Sequence, residues 1–164
     1  KKLHPDVVFI PGHGQDSGLL MKQAVSFDLQ STLLGGDGWG KGALQVSGDK
    51  AAEGNYFANH WHVGMETAQG LDFIKSYRAK FGDRAIASSA ALAYDAVFVL
   101  AEAVRKAGSF DRKAIKNALK TIDNFSGVTG SVRFDKQGDT IGKTGVVMQY
   151  RNGTIQFVEA VTPQ

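Results

Sequence analysis

Hydrophobic and polar positions follow two periods along this chain, and the changes of period mark its elements. Val7 to Ile10 is an unbroken apolar run closed by Pro11-Gly12, the pattern of a strand buried on both faces of a parallel sheet. Leu20, Met21, Ala24 and Phe27 then recur at helical spacing, with Asp16 or Ser17 as the expected cap. A second apolar run, Thr32 to Leu34, ends in Gly35-Gly36-Asp37-Gly38-Trp39-Gly40. Ala43 to Val46 reads as a short helical turn and Gly48 to Gly54 as a polar loop. From Asn55 to Val63 the residues alternate, which predicts a third strand.

The middle of the chain is helical. Leu71, Ile74, Lys75, Arg78 and Phe81 at helical spacing predict a helix over Thr67–Phe81 that stops at Gly82. Ser88 to Ala107 is alanine-rich, with Leu92, Ala96, Val99, Leu100, Ala103 and Val104 as apolar positions, Ser88 or Ser89 as cap and Gly108 as stop. A third helix runs from Asp111 to about Ile122. Gly127 to Gly130 reads as a turn, Val132 to Phe134 as a short strand and Asp135 to Asp139 as a polar turn. Gly145–Tyr150 and Thr154–Val161 flank Asn152-Gly153, a hairpin signal. The expected order is β, α, β, β, three helices, β and a terminal hairpin.

Two consecutive strands thus end in glycine loops, one holding His13 and the other Asp37 and Trp39. Ligands of open α/β sheets sit outside the carboxyl ends of the strands, so these loops are the place to look for function. Gln15 and Asp16 stand at the start of the helix between them, where backbone N–H groups attract polar ligand groups, though Asp16 suits capping better.

Composition narrows the picture. The 164 residues contain no cysteine, which excludes disulfides, thiol catalysis and cysteine metal sites. Net charge is +3. The local cluster is Arg105-Lys106 with Arg112, Lys113, Lys116 and Lys120. On helices this reads as a solvated face rather than a nucleic-acid patch. No apolar run reaches the ~20 residues that span a bilayer. Ser17 lacks the glycine spacing of a nucleophile elbow, and Gly35–Gly38 lacks a phosphate-loop lysine. No catalytic set stands out, so an enzyme is not the expectation.

Taken in order, several short motifs resemble the second half of a type I periplasmic solute-binding protein of the branched-chain amino-acid receptor kind. They are Pro5-Asp6-Val7-Val8, Gly12 before Lys22-Gln23-Ala24, Gly35 to Gly38, and Glu53-Gly54. Phe73, Tyr77, Phe81-Gly82, Tyr94-Asp95-Ala96-Val97 and Ala107-Gly108-Ser109 follow. Phe125, Gly127, Thr129-Gly130, Phe134-Asp135 and Gly138-Asp139 complete the series. The resemblance implies an α/β fold of two lobes with parallel, doubly wound sheets. Residues 1–63 and 141–164 would belong to lobe two, the latter as a β-hairpin, and residues 66–140 to lobe one. The chain would be a fragment lacking the family's first half, which becomes an expected partner together with a membrane ABC permease; self-association into a homodimer is the other way to cover its edges.

On that resemblance the protein captures a small polar solute, an amino acid or related compound, in a periplasmic or other extracytoplasmic compartment. Asp37 falls where family members that bind amino acids pair a carboxylate with the α-ammonium; a plain Asx-turn is the competing reading. His13 stands where the family often has a ligand-contacting tyrosine. Trp39 either walls the pocket or packs, and Gln15 adds a polar contact. Tyr94 and Asp95, in mid-helix, are expected to face the hinge or to pack, and not to contact ligand. Two rivals stay open: a ligand-sensing domain of a receptor or regulator, and a metal-dependent enzyme using His13, His60 and His62, the last two sharing a strand face with Asp37 nearby.

Overall fold

The computed structural model describes residues 3–163, so the extreme ends of the ranges 1–63 and 141–164 lie outside the description. The chain divides into two compact units. One runs through Asn59 and takes in Val146–Glu159; the other holds His60–Gly145 and the stretch from Ala160. The polypeptide therefore passes from one unit to the other at Asn59/His60, Gly145/Val146 and Glu159/Ala160.

The first unit is built on a five-stranded sheet of order β1-β2-β3-β6-β7, comprising Val7–Ile10, Thr32–Gly35, Tyr56–Asn59, Gly145–Arg151 and Thr154–Val161. β1, β2 and β3 are parallel, and β6 runs antiparallel to β3. Asn152 (φ 52°) and Gly153 (φ 68°) form the two-residue turn into β7, the left-handed pair that an Asn-Gly hairpin requires. Helices α1 (Gly14–Ser26), α2 (Gly40–Ser47) and α3 (Asp49–Ala52) complete the unit.

Strand alternation divides the sheet faces sharply. Leu33, Phe57, Val146, Met148 and Tyr150 are all buried. On the opposite face Val7 and Phe9 are 48% and 63% exposed, and Leu34, Tyr56 and Val147 are half-buried. The reading of Val7–Ile10 as a strand buried on both faces is therefore corrected. β1 is an edge strand, and one of its faces has no covering layer among the described residues.

Glycine sets the packing of α1 on α2. A Cβ on Gly14 would come 2.9 Å from the Ala43 nitrogen, and one on Gly18 would come 2.7 Å from Val46 Cβ. The two backbones thus touch through small residues, and only Ser17, Gly18 and Met21 of α1 are fully buried. This is why Leu20 and Phe27, expected on the buried stripe, are 43% and 63% exposed.

The second unit contains a 3₁₀ turn (Val63–Met65), α4 (Ala68–Phe81), α5 (Ser88–Ala107), α6 (Arg112–Leu119) and a hairpin of β4 (Phe125–Gly127) and β5 (Gly130–Val132). Thr67 and Asp111 cap α4 and α6, accepting from the Gly70 and Ala114 amides at 3.1 and 2.8 Å. One core gathers Val99, Ala103, Ala118, Ile122 and Val132; another gathers Trp61, Phe73, Ala91 and Val128. Among the described residues the sheet of this unit is the antiparallel β4-β5 pair, with no parallel strands. The expected strand at Val132–Phe134 lies earlier, as β4 and β5 around a turn at Val128-Thr129. The polar loop expected at Gly48–Gly54 contains α3.

Candidate functional site

β1 and β2 end level with one another, Ile10 opposite Gly35, so the loops after them emerge side by side. A Cβ on Gly38 would lie 2.8 Å from the Gly12 carbonyl oxygen and 3.0 Å from His13 Nδ1. The second loop therefore seats its backbone directly against the first, and only glycine fits there. Trp39 Nε1 donates to the Ile10 carbonyl at 3.2 Å. A Cβ on Gly35 would fall inside the Trp39 ring system, so the tryptophan lies across the end of β2.

His13 is exposed and is the N-cap of α1, with extended backbone (φ −89°, ψ 164°) and no capping hydrogen bond from its side chain. The helix starts at Gly14, which corrects the expectation that Asp16 or Ser17 caps it. Asp16 lies in the first turn, where a carboxylate favours the positive end of the helix dipole. Ser17 is fully buried, and its hydroxyl has no hydrogen-bond partner among the described residues. It lies beneath Gly12, where a Cβ would approach it to 2.8 Å. Gln15, in the first turn of α1, and Asp37, on the second loop, are both exposed.

Trp39 is 2% exposed. It stacks on Tyr150 (centroids 6.2 Å apart, planes 14° apart) and lies 6.4 Å from Phe57. Tyr150 Oη donates to the Gly40 carbonyl at 2.8 Å, and burial pushes this hydroxyl well above the usual tyrosine range. The ring thus packs: it holds the Gly36–Gly40 loop from beneath.

The strand expected through Val63 stops at Asn59, so the notion that His60 and His62 share one strand face is corrected. Trp61 turns into the core of the second unit instead. His62 Nδ1 accepts the Gly64 amide at 3.1 Å, and burial lowers the His62 pKa. Among the described residues no group of three or more His, Asp or Glu side chains could hold a metal ion.

Sequence reasoning did not single out the carboxylate of Asp95 as more than packing. It sits in α5 at 4% exposure and accepts three hydrogen bonds from the β4–β5 turn: Val128 N (2.7 Å), Thr129 N (2.8 Å) and Thr129 Oγ1 (2.6 Å). Lys143 Nζ donates to Thr129 Oγ1 at 2.6 Å. Burial lowers the Lys143 pKa, and the Asp95 charge partly opposes that. A depression of about 240 Å³ beside it is lined by Asp72, Phe73, Tyr94, Phe98 and Phe125 among others. Asp95 faces it with its hydrogen bonds already committed to the turn, so the arrangement is a structural clasp and not a binding carboxylate.

A family model described as "periplasmic binding protein" matches residues 1–154. A Leu/Ile/Val-binding protein of Rhizobium johnstonii is 29% identical over 162 residues, covering 94% of this chain and 41% of the relative. A leucine binding protein of Thermotoga maritima superposes with a TM-score of 0.89 at 32% identity, over 99% of this chain and 46% of the other. A branched-chain amino acid transporter substrate binding protein of Streptococcus pneumoniae, solved with isoleucine, gives 0.82 at 32% identity, over 96% and 45%. The chain spans less than half the length of these relatives.

Proposed function

The chain belongs to the periplasmic binding protein family, and from that membership we infer that it supplies ligand-binding surface to an extracytoplasmic receptor for an amino acid. The family and its structural neighbours are substrate-binding proteins, not enzymes, and the fold is the mixed α/β arrangement of the type I members. The two units correspond in this reading to parts of two lobes, and the closed, liganded receptor is delivered to an ABC permease.

The observation that carries the reading is the paired glycine loop: Gly38 against Gly12 and His13, at the carboxyl ends of adjacent parallel strands. Asp37 accepts charge-assisted hydrogen bonds from the ligand α-ammonium, each worth about 1.5–3 kcal/mol. His13 and Gln15 border the side chain of the ligand. Trp39 acts from below, by fixing the loop that carries Asp37.

In this reading the groups that hold the ligand carboxylate lie in the part of the family's length that this chain does not span. Losing two or three charged hydrogen bonds weakens affinity by about two to six decades. The expected result is therefore millimolar binding by the 164-residue chain alone. A ¹⁵N amide titration with leucine should move resonances of Gly12 to Gln15 and Asp37 to Trp39 only, and Asp37→Asn should abolish the shifts. Micromolar affinity in calorimetry, or shifts confined to other loops, contradicts the assignment.

The uncovered face at Phe9 and Tyr56 is the natural seat for the remainder of the family's length. On the second unit, Val97 (65%) and Phe98 (48%) leave α5 similarly exposed. An all-round apolar helix belongs inside a larger core.

A further inference from the structure

The basic cluster at the α5–α6 corner has no part in solute capture as described above, and its geometry suits a different task. Arg112, Lys113, Lys116 and Lys120 are all exposed. At 3.6 residues per turn they fall within an arc of about 100° on α6. Ala114, Ile115, Ala118 and Leu119 occupy the opposite arc, packed or half-buried. None of the four cations has a side-chain ion pair among the described residues. By contrast, Arg105 is engaged by Glu102 at 2.7 Å and Lys106 by the Thr121 carbonyl at 3.2 Å. Of the nearby acids, Asp111 is turned into the helix N-terminus and Asp123 lies beyond Lys120.

Phe110 stands at the tip of the same corner, 88% exposed. Gly108 ends α5 in the left-handed conformation (φ 59°), Ser109 Oγ accepts the Asp111 amide at 2.9 Å, and Asp111 caps α6. A bare aromatic ring beside four cations matches an interface that is apolar inside and anionic outside.

We propose that the α5–α6 corner docks on an anionic phospholipid surface, with Phe110 entering the headgroup layer and Arg112, Lys113, Lys116 and Lys120 contacting the lipid phosphates. The proposal stands apart from the solute reading and would survive its failure.

The test is flotation of the 164-residue chain with vesicles of phosphatidylglycerol and phosphatidylcholine in equal parts, and with phosphatidylcholine alone. Binding is expected on the anionic vesicles only, and it should fall with salt. Each cation removed costs about fivefold in partitioning. The double variant Lys113→Glu/Lys116→Glu should therefore lose at least about 25-fold. Phe110→Ser should weaken binding and leave the salt dependence unchanged. Lys22→Glu/Lys50→Glu makes the same charge change on the other unit and serves as the control. Equal binding to phosphatidylcholine, an equal loss in the control, or no effect of Phe110→Ser overturns the proposal. So does retention of the Phe110→Ser variant on heparin or nucleic acid equal to its retention on vesicles, which would mark a general polyanion surface.

Discussion

Removing the Asp95 carboxylate is the sharpest test of how the second unit is held. Asp95→Ala leaves the Val128 and Thr129 amides, at residues 3% and 0% exposed, without acceptors. It also frees the Thr129 hydroxyl and leaves the Lys143 ammonium without its counter-charge. Each buried donor left unpaired costs about 1–3 kcal/mol. Two amides and a hydroxyl sum to about 3–9 kcal/mol, a large part of the 5–15 kcal/mol by which domains are stable. Asp95→Asn keeps one acceptor oxygen but sets an NH₂ group against a donor, so about half of that loss is expected. Gly127→Ala probes the same clasp from the other side, because its Cβ would stand 2.5 Å from Asp95 Oδ2. Each unit has its own buried tryptophan, Trp39 or Trp61. In a Trp39→Phe background, fluorescence therefore reports the second unit alone. With a urea m-value of about 1–3 kcal/mol/M, Asp95→Ala should lower the midpoint by at least about 1 M. A midpoint within about 0.2 M of the parent would refute the clasp and leave Asp95 a bystander.

Gly18→Ala pushes a methyl group into Val46 and the Ala43 carbonyl; a loss of about 1–3 kcal/mol in the first unit is expected, read by Trp39 fluorescence with Trp61→Phe. His62 has its pKa held below 6.5 by burial, so the unfolded chain binds more protons in the window between the two values. Stability from this group is present above about pH 6.5 and lost as pH falls through the folded value; melting temperatures taken from neutral pH to about pH 5 should fall, and His62→Gln should flatten that slope. With apolar residues uncovered on the sheet of the first unit and on α5 of the second, the chain should self-associate as its concentration rises. Light scattering behind size exclusion that finds only monomer would contradict this.

Periodicity alone located β1, β2, α4, α5 and the terminal hairpin, because each carries its own punctuation. Ser88–Ala107 stops at Gly108, and the Asn152-Gly153 turn has the dihedral angles its residues favour. The adjacency of the His13 and Asp37 loops was likewise legible, since two parallel strands joined by a helix bring their carboxyl ends together. What the chain could not disclose locally depends on residues distant in sequence. The start of α1 at Gly14 is set by contact with α2, where any Cβ would collide with the Ala43 backbone. Trp39 beside a glycine loop could wall a pocket or fill a core; Tyr150 and Phe57, brought across the sheet by β6 and β3, decided for the core. An aspartate in an alanine-rich helix reads as a packing or hinge residue, and only the turn that arrives more than 30 residues later gives its charge the amide and hydroxyl donors that hold it inside. Hydrogen-bond partners and steric limits supplied by remote segments carry no trace in local periodicity, so tertiary structure alone could assign them.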